Sequence, residues 1–399
     1  MDIGDPTRNF QWAFLIIAGS LVMPVIVSFP VVFVLGVLYA IQRKRTLVPW
    51  LALFVIINQV SVWSSRMVGI DLSDDMLANY GYYSRSVSEM YAGMKGDEWY
   101  EIVFMIYNAV MPGGLNHNAL LAVYLITAGL FVFILVKKAI EQDADSDLLV
   151  FALLLVICCN TFFVASQLTR QVLSIIILCA AIGYRSVALG AVAQLVHVTT
   201  AFSFSMYGLW KRAPLLSLAI VIIVVAALSA GGVSGIINTL YGYEGFGGQM
   251  ALRVENSTMI RDTGVVLAQK VLMYVTVGGL FYLMTRESRI LFLALAMALV
   301  EYLMLDYQLL YKRLFMIFDS CLPFVLLAYL SAATPDERIS KLKPGRPALN
   351  SAVLLGMLLV SGLLMGKRLV VDSKRSDDYF RPLVKYDAGT MPVFGLMKR

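Results

Sequence analysis

Charge is scarce in this chain. Asp, Glu, Lys and Arg make up 15% of its 399 residues, against about 25% in a soluble domain. So few charges cannot solvate the two or three soluble domains that the length alone would indicate. Histidine is scarcer still: His117 and His197 are the only two, which excludes a histidine-rich metal centre. The four cysteines, Cys158, Cys159, Cys179 and Cys321, all fall in apolar segments, with neither zinc spacing nor a disulfide framework. No GxxxxGK loop, helix-opening GxGxxG or HExxH occurs. Neither a metal nor a cofactor is therefore expected. No row of carboxylates inside apolar segments marks a proton relay, and heptads, short repeats and low-complexity stretches are also missing.

What the chain has instead is length in apolar runs. It is 59% hydrophobic, with a mean hydropathy of +0.78. Runs such as 12–40 and 214–232 hold almost no charge. A span needs roughly 20 apolar residues to cross about 30 Å of hydrocarbon, and lipid leaves helices or closed barrels as the only spanning forms. These runs do not alternate as barrel strands do. The expected fold is all-α: a polytopic transmembrane helix bundle of about 10–12 spans. Residues 1–366 form one membrane domain and 367–399 a polar tail.

The net charge of +6 reflects basic clusters that follow apolar runs, so it points to membrane orientation and not to nucleic acid. The clusters are Arg43, Lys44 and Arg45; Lys137 and Lys138; Arg185; Lys211 and Arg212; Arg286 and Arg289; and 338–346. Taken as cytoplasmic, they give spans near 12–40, 48–65, 117–136, 148–165, 214–232, 265–284, 290–305, 314–332 and 349–365. The first run is too long for a cleavable signal, and its basic cluster follows it. Loops near 66–116 and 233–264 are then external. The stretch 99–110 is apolar but too short to span, and reads as an interfacial helix. Between 172 and 209, Arg185 and His197 interrupt the apolar pattern, so short helices and a triple crossing or re-entrant hairpin are expected there.

The chemistry must come from polar groups at the external helix ends. Arg170, in Thr169-Arg170-Gln171, stands between two apolar runs. A charge at mid-bilayer costs at least about 2.5–3.5 kcal/mol. Arg170 is thus either an interfacial anchor or a diphosphate clamp that uses its planar fork of donors. His197 is a core histidine or a base active near neutral pH. Lys312 and Arg313 open a span on the outside, against the positive-inside bias. Asp74 and Asp75 open an amphipathic helix as caps or as acid–base groups. Tyr241 and Tyr243 lie in an aromatic, glycine-rich loop that suits sugar faces or an interfacial belt, and Arg253 and Arg261 share that loop.

In order and spacing over about 70–340, these features resemble the EpsG family of Wzy-like polysaccharide polymerases. The resemblance rests on Asp74-Asp75 with Tyr80, on Asp97-Glu98-Trp99-Tyr100, on Thr169-Arg170-Gln171, on His197 and on Lys312-Arg313. His197 is followed by Val-Thr-Thr, where a small residue and then a serine-like one are more usual. The resemblance implies a GT-C type glycosyltransferase of the bacterial inner membrane with its active site facing the periplasm. It would join undecaprenyl-diphosphate-linked oligosaccharide repeats, donor and acceptor alike, into O-antigen or exopolysaccharide. The expected outcome is inversion without a metal. Asp75 or His197 would act as base; Arg170, Arg313 and Lys312 would bind diphosphate; Asp74, Tyr80, Gln171, Tyr241, Tyr243, Arg253 and Arg261 would line the glycan path. A chain-length regulator and a flippase are the implied partners, beside membrane lipid. An O-antigen ligase or a polysaccharide flippase or transporter are the alternative functions.

Overall fold

The structure, a computed structural model, describes residues 47–64, 75–95, 101–144, 146–158, 161–197, 200, 213–227, 299 and 321–332. The expected spans near 12–40, 265–284 and 349–365, the loop 233–264 and the tail 367–399 lie outside the described residues, as does the span near 290–305 apart from Leu299. Among those described, every regular element is a helix. In chain order they are α1 (Val48–Ser64), α2 (Met76–Ser84), α3 (Val87–Lys95), α4 (Ile102–Ala109), α5 (His117–Glu141), α6 (Ser146–Cys158), α7 (Thr161–Gln167), α8 (Thr169–Tyr184), α9 (Val187–Val196), α10 (Pro214–Ala227) and α11 (Leu322–Ala332).

Helix α5 is long and apolar enough to cross a membrane; its 25 residues measure about 37 Å. The Asn116 side chain caps its start by accepting from the Ala119 N–H at 2.8 Å, and Lys138 complements the negative end of its dipole. One face packs inward through Leu121, Leu125, Ala128, Val132, Leu135 and Ala139. The opposite face exposes Ile126, Leu130 and Ile134, at the helical spacing of four. Helices in water carry polar residues there; an apolar outer face is what lipid selects. Helix α10 shows the same pattern, with Leu215, Leu216, Ile220 and Ile223 exposed. The segments Leu148–Ile157 and Thr161–Gln167 meet the apolar length criterion together and are inclined by 44°.

The helices share two distinct ends. At one, the α5 Lys138 ammonium lies 5.5 Å from the Tyr184 ring of α8, and the Arg185 guanidinium donates to the Ala332 carbonyl of α11 at 2.9 Å. Arg185 takes the left-handed conformation that ends α8. At the other end, the Asn118 amide donates to the Ser64 carbonyl at 2.7 Å. The α2 backbone reaches α7 there through the Asp75 N–H and the Gln167 carbonyl, at 2.9 Å. Helices α5 and α8 thus run in the same direction, with α1 opposed to them.

Helix α8 is the centre. It is buried on all faces from Thr169 to Ala181 and packs on α5, α9, α11, α7 and α2. Two glycines permit close approach. A Cβ on Gly129 would collide with Ile56 of α1, and one on Gly183 would stand 2.9 Å from Leu135 and 3.0 Å from Ser331. Small residues at these positions let the helix backbones approach closely.

The expected short helices after Val172 are present as α8 and α9. The latter spans only ten residues, about 15 Å, and ends at buried His197. The expected interfacial stretch 99–110 contains the short helix α4. Its Tyr107 hydrogen-bonds Thr127 of α5 at 2.5 Å, ten residues from the α5 start and therefore about 15 Å along its axis.

Replacing Gly129 by Leu is expected to destabilise the purified protein by about 1–3 kcal/mol, because the α1–α5 seam has no room for it. Gly81→Ala, in open space, should gain up to about 1 kcal/mol from helix propensity alone. Thermal unfolding in detergent reads both; a Gly129→Leu protein as stable as the parent would refute the close seam.

Candidate functional site

The first turn of α8 carries Arg170 into a place where it is only 7% exposed. A guanidinium there, beside the positive end of its own helix dipole, is doubly unfavourable. Leu168 at the N-cap has no side chain to offer. Glu101 resolves the problem. Its carboxylate accepts from the Arg170 Nη1 at 2.5 Å, with both side chains almost fully buried. Glu101 occupies the N-cap of α4 yet makes no capping bond, because its charge is turned to the arginine. Two rings cover the pair: the guanidinium carbon is 5.0 Å from the Tyr82 centroid and 5.9 Å from that of Phe104. Arg85 approaches the same tyrosine ring, at 4.5 Å.

The pairing is incomplete. Among the described residues, the Arg170 Nε and the Glu101 Oε1 are buried without a hydrogen-bond partner. Both amide atoms of Asn79, a residue with no exposed surface, are in the same condition. Asn79 precedes Tyr82 by three residues and follows Asp75 by four, so all three share one face of α2. Buried polar atoms of this kind are few in native proteins, and each requires an explanation.

Asp75 is the N-cap residue of α2, again without a side-chain cap bond. Its backbone is fixed by Gln167, and its carboxylate is within electrostatic range of Arg170. The N-termini of α2, α4 and α8 therefore converge on one point, linked by the Asp75–Gln167 and Glu101–Arg170 contacts. His197 lies deeper. It ends α9, and its carbonyl accepts from the Thr200 N–H at 3.1 Å. The Thr200 hydroxyl in turn bonds that of Ser174, one turn along α8 from Arg170.

The structure thus gathers Asp75, Arg170 and Gln171 at one end, with His197 tied to the same helix about 6 Å farther along. Gln171 is buried. Tyr80 belongs elsewhere: its ring stacks on His117, centroids 3.9 Å apart. Its neighbour Tyr83 donates to the Pro112 carbonyl at 2.6 Å and accepts from the Leu115 N–H at 2.8 Å. Those tyrosines hold α2 against the start of α5. Asp74, Tyr241, Tyr243, Arg253, Arg261, Lys312 and Arg313 lie outside the described residues. Among the described residues, no group of three or more His, Cys, Asp or Glu side chains could hold a metal ion.

Sequence reasoning overlooked Glu101, Tyr82, Arg85 and Asn79. For Glu101 a signal existed: it is the acidic residue directly before the short apolar stretch. Nothing local marks Asn79 as buried.

On the exposed helix α3, the Ser86 N–H and hydroxyl donate to the Glu89 carboxylate at 2.7 and 2.8 Å, and the Ser86 hydroxyl accepts from the Glu89 N–H. This reciprocal cap holds the Glu89 carboxyl below its ordinary pKa, chiefly through the backbone bond from Ser86.

Comparison with protein-family models, with curated proteins and with solved structures finds no match to this chain.

Breaking the ion pair from either side strands a buried charge, and Arg170→Met or Glu101→Leu is expected to cost about 3–5 kcal/mol. The double variant should lose far less, since no charge is left unpaired. Unfolding of all three proteins in detergent measures the coupling; strictly additive losses would show that the two residues do not depend on each other.

Proposed function

We propose that this chain is a polytopic inner-membrane glycosyltransferase that polymerises oligosaccharide repeats carried on undecaprenyl diphosphate. The observation that carries the reading is the convergence of three helix N-termini on buried, incompletely satisfied Arg170. Helix N-termini favour anions through their dipoles and outward N–H groups. The site sits at the end of the apolar helices opposite Lys138 and Arg185, which orientation by positive charge places in the cytosol. The anionic head of a lipid carrier in the outer leaflet is the ligand such a position serves. The apolar outer faces of α5 and α10 support the membrane setting.

The reaction needs charge stabilised on the departing diphosphate and a proton taken from the acceptor hydroxyl. Preorganised dipoles and cations serve the first need. Lys312 and Arg313 are the cations that the sequence assigns to this role; Arg170, expected to share it, is already neutralised by Glu101 and holds the sugar nearest the diphosphate. Asp75 or His197 takes the proton, a contribution of about 10²–10⁴-fold. Attack at the anomeric carbon as diphosphate leaves inverts that centre. Neither nucleotide nor metal is required, because the donor is already activated.

A flippase or transporter is the second reading. It is favoured by the break between α6 and α7 and by α9 ending at a buried histidine, as discontinuous helices mark transport sites.

Membranes containing the parent chain, supplied with undecaprenyl-diphosphate-linked repeats, are expected to produce a polymer ladder. Arg313→Ala should lower elongation by at least about a hundredfold, the loss typical when one transition-state donor is removed, with insertion unchanged. In cells, deletion should leave single repeats on the surface. No surface repeat at all would identify the flippase instead, and wild-type polymer from Arg313→Ala would remove that residue from the mechanism.

A further inference from the structure

We propose that the Glu101 Oε1, the Arg170 Nε and the Asn79 amide, which have no hydrogen-bond partner among the described residues, form a hydroxyl-recognition subsite for the first sugar of the lipid-linked glycan. The inference rests on the glycosyltransferase reading and specifies which part of the substrate Arg170 meets. Its argument is one of matching chemistry. Glu101 balances the Arg170 charge at 2.5 Å, so a phosphate would have to displace a carboxylate already seated in the fork. The two unused atoms of that ion pair are one donor and one acceptor. A sugar hydroxyl both donates and accepts, so it matches both kinds of group. Asn79 offers a second donor–acceptor set on the face of α2 that carries Tyr82 over Arg170. A phosphate dianion accepts only; it would leave Glu101 Oε1 unsatisfied and face its charge.

In the described arrangement Tyr82 and Phe104 close the subsite, and α2 is held to α7 by the Asp75–Gln167 bond. Entry of a sugar requires α2 to move aside, and the sugar hydroxyls then supply the hydrogen bonds that these buried atoms lack. Glu101 and Asn79 are accordingly positioning and specificity residues. Both are distinct from the groups that meet the diphosphate.

The experiment measures binding to the full chain in nanodiscs. The probes are bare undecaprenyl diphosphate and a panel of the same lipid carrying glucose, galactose, N-acetylglucosamine or N-acetylgalactosamine. The parent protein should bind at least one glycosylated lipid about tenfold or more tightly than the bare lipid, the value of one or two hydrogen bonds. Asn79→Leu, which removes a buried unsatisfied amide and so does not lower thermal stability, should lose most of that preference while keeping its affinity for the bare lipid. Glu101→Gln should also lose the preference, and should bind bare diphosphate more tightly because the Arg170 charge is released.

Equal affinity of the parent for bare and glycosylated lipids would overturn the subsite and leave the polymerase reading standing. An unchanged preference in Asn79→Leu and Glu101→Gln would do the same, as would an equal loss of both lipids. Failure of the parent to bind any of these lipids would overturn both the subsite and the function on which it rests.

Discussion

A single ion pair organises this end of the molecule. Arg170 lies at the positive end of a helix buried on every side, a position in which an isolated cation is not tolerated. Glu101 neutralises it from another part of the chain, 69 residues away. In doing so it fixes α4 against α8, brings Phe104 over the guanidinium and sets the place where α2 must close. The Asp75–Gln167 backbone bond and the Tyr82 ring complete that closure. Buried pairs of this kind contribute little net stability, because desolvation offsets attraction. Their consequence is positional: α4 and α8 can meet in one register.

The frame around the pair follows a different rule. Among the described helices, packing depends on shape at Gly129 and Gly183 and on side-chain hydrogen bonds such as Ser331 to Leu135, at 2.8 Å. On α5 apolar residues face outward as well as inward, at Ile126, Leu130 and Ile134. Buried polar groups occur along the helices as well, at Asn58, Gln59 and Ser61 of α1 and Ser174 of α8, but the buried Arg170–Glu101 ion pair lies where α8 and α4 start.

Much of the helical framework was legible in the sequence. The runs near 48–65, 117–136 and 148–165 correspond to α1, α5 and α6 with α7, because apolar length is a strong and local signal. The short helices around Arg185 and His197 were readable from the polar residues that interrupt the apolar run. The tyrosines of α2 were visible as a cluster, but their separate tasks were not: Tyr80 serves His117, Tyr82 covers Arg170 and Tyr83 ties down the loop before α5. Arg170 stood out because a charge between apolar runs demands a reason. Its partner did not, because Glu101 is one acidic residue among several in the same segment. Only the path of the chain selects it. Asn79 is less visible still, since its burial depends wholly on how α2 docks.

The central claim is that Arg170 and Glu101 touch in the resting protein, and a distance measurement on the protein in lipid tests it most directly. With guanidinium nitrogen and glutamate carboxyl carbon isotopically labelled, solid-state dipolar recoupling reads their proximity. Subtracting the spectrum of Arg170→Lys isolates the Arg170 signal. The account predicts a recoupled signal that vanishes in Arg170→Lys and again in Glu101→Gln. A parent spectrum indistinguishable from that of Arg170→Lys would mean the two groups are apart, and the site built around them would be wrong.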